Sequence, residues 1–142
     1  MYVTMDKALC LALLQKASEA KSAVAAALRI TSRSYDKLTD EEIWALRYQL
    51  IVLVEALASL CMKLARGEWG VVYTTYRECL LEADRRVGAG CGETLGALVG
   101  LRNLLVHRYF QVDDRRVYDA VKKDFKCVLD FLEKALSHAS CV

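Results

Sequence analysis

The sequence predicts an all-α fold, an antiparallel bundle of four long helices plus a short one, and three observations carry that reading. Apolar residues recur at helical spacing along most of the chain. Hydrophobic residues make up 55% of it and proline is absent, a composition that favours compact helices over loops. The breaks between apolar stretches coincide with helix-capping and glycine signals. A length of 142 residues is enough to bury one core. A single domain over residues 1–142 is therefore expected.

The first helix is expected from about Asp6 to Ile30, with Leu9, Leu13, Leu14, Val24 and Leu28 as its buried stripe, stopping in "TSRSYDKL". The second begins at Thr39, whose hydroxyl can cap it while Glu42 reaches back, a capping box, and it runs to about Arg66, ahead of Gly67. Its middle, "LIVLVEALASLCMKLA", is apolar nearly all round but holds Glu55 and reads as too short to span a bilayer. It reads as a central helix packed on several neighbours, or as one forming a dimer interface.

"TTYRECLLEAD" predicts a short third helix, again with a capping-box pair, Thr75 and Glu78, and with the glycines of "VGAGCG" as its exit. A fourth helix starts near Glu93. Asp113 then caps a last helix from about Arg115 to Leu136 or a little further, offering Val117, Val121, Val128, Leu129, Leu132 and Leu136 to the core. The tail "SHASCV" is expected to fray. No internal repeat or linker interrupts this pattern.

The net charge of +2 announces neither a nucleic-acid nor a membrane binder. The six cysteines include no CxxC and no Cys/His pair at zinc-site spacing, so neither a metal nor a cofactor is expected. They read as small core hydrophobes of a reducing cytosol, with disulfides the alternative in a hyperthermophile. "MYVTMDKALC" lacks the charged and apolar regions of a signal peptide, which makes a cytoplasmic protein, with no membrane partner, the expectation.

Chemistry concentrates in "GLRNLLVHRYF", Gly100 to Phe110. On an ideal helix Asn103 and His107 lie within about 40° of each other, and Arg102 and Tyr109 within about 20° if the helix continues that far. Arg102 and His107 differ by about 140°, too much for both to aim at one point. Either the helix bends or ends near His107, or a second copy of the chain supplies the missing group; a two-fold dimer is the favoured solution. Taken singly, each residue has a plain structural role: a surface histidine, an arginine in a salt bridge, a half-buried tyrosine. Glu55 is expected to pair with an arginine inside the bundle and is given no catalytic part. His138, in the tail, is the weaker histidine.

"RNLLVHRY" resembles the signature of the HEPN superfamily, and its form, four residues between Arg102 and His107 with a tyrosine two after the histidine, resembles the HepT-like toxin branch. "RYQLIVLVEALASL", "YTTYRECLLEA" and "VDDRRVYDAVKKDF" resemble the family's second helix, the segment before its motif helix and the start of its last helix. The resemblance runs from about Glu41 onward.

It implies a HEPN-like helical homodimer that cuts RNA, tRNA or mRNA, without a metal at a shared cleft. Arg102 would bind phosphate, His107 would transfer protons and Asn103 would orient one of them. It further implies a small MntA-like nucleotidyltransferase antitoxin and AMP attachment to Tyr109, which would set negative charge and bulk beside Arg102, in competition with RNA phosphate. From Leu101 to Lys123 six basic side chains face three acidic ones, in keeping with an RNA partner. The alternatives are a non-catalytic HEPN module that binds a nucleotidyltransferase and a purely structural helical dimer.

Overall fold

In the computed structural model, which describes residues 2–141, the chain folds into five α-helices. They are α1 (Tyr2–Thr31), α2 (Asp40–Leu64), α3 (Tyr76–Val87), α4 (Gly92–His107) and α5 (Asp114–His138). Four are long and α3 is short, as the sequence predicts. No strand interrupts them among the described residues. Helix α2 packs against all four others, and its contact with α1 is the most extensive in the molecule.

Local chemistry sets the helix starts. Thr39 accepts from the Glu42 N–H at 3.2 Å while the Glu42 carboxylate accepts from the Thr39 N–H at 3.0 Å, so the expected capping box is complete. That backbone bond is the main cause holding the Glu42 carboxyl below its ordinary value. At α3 the box is only half made. Thr75 accepts from the Glu78 N–H at 3.1 Å, but the Glu78 carboxylate accepts from the Thr74 hydroxyl instead of reaching back to the cap. Asp113 caps α5 through the Arg115 N–H at 2.9 Å.

The core departs from the expected stripe of α1. Leu13 and Val24 are buried, but Leu14 and Leu28 are 38% and 40% exposed, and Ala17, Ala20, Ala23 and Ala27 fill the inner face. Small side chains there let α1 lie close against the leucines of α2, so close approach takes the place of large side chains. On α5 the expected positions are buried except Leu129, and Tyr118, Phe125 and Phe131 add bulk. By length and composition the segment Asp40–Trp69 is apolar enough to cross a membrane, contrary to the sequence expectation; 56% of its most apolar window is buried within the chain.

The cysteines are crosslinks. Cys10 joins Cys141, Cys61 joins Cys79 and Cys91 joins Cys127, with Cα–Cα distances of 5.3, 6.2 and 5.8 Å, all inside the range a disulfide requires. Cys61, Cys79 and Cys91 are buried as core hydrophobes would be, but no cysteine among the described residues is left free. The tail is tied down accordingly. Helix α5 continues to His138, Ala139 is 7% exposed, and the Cys141 bond fastens the chain end to α1 where fraying was expected.

Candidate active site

Helix α4 carries the motif, and the architecture treats its residues differently. Its N-cap, Cys91, makes no side-chain cap; the buried Asp84 of α3 substitutes, accepting from the Cys91 N–H at 3.0 and 2.9 Å. That carboxylate sits where the helix dipole favours negative charge. Leu95, Leu98, Val99, Leu101 and Leu105 then bury the inner face and fix the rotation of the helix. Arg102 falls at the margin of that face, its side chain 16% exposed.

Arg102 lies inside a network drawn from three helices. Its guanidinium donates to Glu55 of α2 at 2.5 Å and to the Asn103 side-chain oxygen at 3.0 Å, and it lies over the Tyr76 ring of α3 at 5.2 Å. The Tyr76 hydroxyl donates to the other Glu55 oxygen at 3.1 Å. Burial first, and then the bond to Glu55, push the Tyr76 hydroxyl above its ordinary value, so it remains a donor. The buried Nε of Arg102 has no partner among the described residues.

His107 is the last residue of α4. Arg108 leaves helical geometry at φ −139°, ψ 50°, and its N–H closes the helix on the Leu104 carbonyl at 2.7 Å. A 3-10 turn, Tyr109–Gln111, follows. His107 is exposed and helps to wall an open cavity of about 580 Å³ formed by residues 106–111.

The end of the helix overturns one expectation. Tyr109 does not continue the helical face of Arg102; its ring lies against Arg47 of α2, 4.3 Å from the guanidinium. Arg47, 7% exposed, donates to the Tyr109 carbonyl at 2.9 Å and the Val112 carbonyl at 3.1 Å and pairs with Asp114 at 2.5 Å. It thereby fastens the segment that leads from α4 to α5. Tyr109 is 40% exposed and Phe110 98%.

Of the sequence-predicted residues, Arg102 and Asn103 meet directly, while His107 and Tyr109 share the cavity wall beyond the helix end. No hydrogen bond joins Arg102 to His107 among the described residues. The arginine expected to satisfy Glu55 is Arg102 itself. Tyr76 and Arg47 were not legible as site residues; nothing in the spacing of either marks a partner found on another helix. His138 accepts from the Trp69 indole N–H at 3.3 Å and stacks edge-on with that ring, a packing role away from the motif. Among the described residues no cluster of three or more His, Cys, Asp or Glu side chains is arranged to hold a metal ion.

The family model described as "Ribonuclease HepT-like" matches residues 13–135. No curated protein and no solved structure matches the chain.

Proposed function

This chain belongs to the HepT-like ribonuclease family, and from that premise we propose that it is the ribonuclease toxin of a toxin–antitoxin pair. It cleaves RNA, tRNA or mRNA, at a cleft shared by two copies of the chain. The observation that carries the reading is the termination of α4 at His107, which leaves the one proton-transferring side chain of the motif exposed at an open cavity.

In the proposed reaction the RNA 2′-oxygen bonds to the adjacent phosphorus and the bond from phosphorus to the 5′-oxygen breaks. One His107 takes the 2′ proton, and the protonated His107 of the partner subunit supplies a proton to the leaving oxygen. Arg102 holds the phosphate through charged hydrogen bonds, and Asn103, bonded to it at 3.0 Å, fixes its direction. Two features favour the shared cleft. Residues five apart on α4 point about 140° away from each other, and Val106, Tyr109 and Phe110 expose apolar surface beside His107 that a second copy would cover.

The proposed antitoxin is an MntA-like nucleotidyltransferase that attaches AMP to Tyr109. The half-open position of that ring at the cavity wall supports it. The added phosphate and adenosine would occupy the approach to His107 without requiring contact with Arg102. The proposed action on cellular RNA is cytoplasmic, a compartment in which three crosslinks would persist only in a protein of the hyperthermophile kind.

The test is cleavage of tRNA and mRNA by the purified chain with a chelator present. Cutting is expected to persist in chelator, and chains carrying Arg102→Ala or His107→Ala should each be inactive. Absence of cutting on every RNA class would replace the ribonuclease with a non-catalytic module.

A further inference from the structure

The motif arginine is already engaged by a carboxylate, but a second arginine, packed on the face of α4 that carries Asn103 and His107, is not. The Arg77 side chain of α3 lies across α4 at two glycines: a Cβ built on Gly96 would stand 2.9 Å from its Nη1, and one on Gly100 would stand 3.2 Å from its Nη2. The glycines form a shallow track that admits the guanidinium against the helix backbone. Arg77 is exposed and forms no ion pair or side-chain hydrogen bond among the described residues.

The track leads to the motif. Gly96, Gly100, Asn103 and His107 fall within an arc of about 60° on α4, and Gly100 lies about 10 Å along the axis from His107. One nucleic-acid strand can touch the exposed Arg77 guanidinium at one end of that path and His107 at the other. Arg102, by contrast, gives one edge of its guanidinium to Glu55.

We infer that Arg77, seated over Gly96 and Gly100, is a second phosphate-binding residue, which holds the RNA backbone away from the phosphodiester that is cut and aligns the strand toward His107. The inference rests on the ribonuclease reading. It concerns binding and alignment, not proton transfer.

The experiment measures binding of a fully 2′-O-methylated single-stranded RNA, which cannot be cleaved by its own 2′-oxygen, to the full chain across a salt series. Arg77→Ala is expected to weaken binding roughly tenfold and to reduce the slope of log affinity against log salt by about 0.7, one phosphate contact on a single strand. Arg77→Lys should keep the slope. Gly96→Ala, which displaces the guanidinium while improving helix propensity, should lower affinity without lowering the unfolding temperature. Lys21→Ala, the loss of an unpaired charge on α1, should leave affinity within twofold.

With cleavable RNA, Arg77→Ala should raise KM and spare kcat. Parent-like affinity and slope in Arg77→Ala, or an equal loss in Lys21→Ala, would overturn the inference while leaving the ribonuclease intact. A parent chain that neither binds nor cuts RNA would remove the ribonuclease reading and this inference with it.

Discussion

The two ends of α4 are built on opposite principles. At its start the buried Asp84 receives the Cys91 N–H, the Cys91–Cys127 crosslink ties the cap to α5, and Gly96 is buried. At its finish no glycine turns the chain; Arg108 leaves the helix at φ −139°, and His107 and Phe110 face outward. One sixteen-residue helix thus anchors at one end and presents at the other. The difference teaches that the rotation and height of the motif are set by residues remote from it, while the motif end stays exposed on a segment that Arg47 of α2 holds through the Tyr109 and Val112 carbonyls.

Of the two ends of α4, the closed one should give the larger effect on stability when opened. A Cys91→Ser, Cys127→Ser chain loses a crosslink spanning 36 residues, worth roughly 4 kcal/mol in the chain-entropy description. Thermal unfolding followed by circular dichroism should show a fall of about 10 °C or more. An unchanged midpoint would mean that the closed end does not depend on its crosslink. Asp84→Ala should cost less, about 2 kcal/mol, because it strands the buried Cys91 N–H and removes the anion from the helix start. Urea unfolding of this variant measures it.

Much of the architecture was legible because the controlling interactions are local in sequence. Thr39 and Glu42, three apart, announce their cap, as does Asp113 ahead of α5. The alanine face of α1 was missed because hydrophobic periodicity weights leucines, whereas here close helix approach favours small side chains. Crosslinks stood only as the alternative, and their pairing was not legible: Cys10 and Cys141 stand 131 residues apart, and no spacing rule reports such a pairing. At the site, Arg102, Asn103 and His107 were proposed from one short motif. The grip of Arg47 on the Tyr109 segment comes from a residue 62 positions away, and the end of α4 at His107, one of the outcomes the motif spacing left open, has no glycine or proline to mark it.

The open end should respond least in stability. Phe110→Ser, at a side chain 98% exposed, should change the unfolding free energy of the single chain by no more than about 0.5 kcal/mol. In sedimentation measurements the same variant should self-associate more weakly, since it removes apolar surface from the proposed shared cleft. A loss above about 2 kcal/mol would show that the segment is packed rather than presented, and the contrast between the two ends would fail.

The contrast is tested most directly by measuring RNA cleavage and thermal unfolding on the same preparation of His107→Ala. Cleavage should fall at least about 100-fold, the range expected for loss of a general acid–base group, while the unfolding temperature stays within a degree or so of the parent. Parent-like cleavage at an unchanged unfolding temperature would contradict the assignment of the chemistry to the open end of α4.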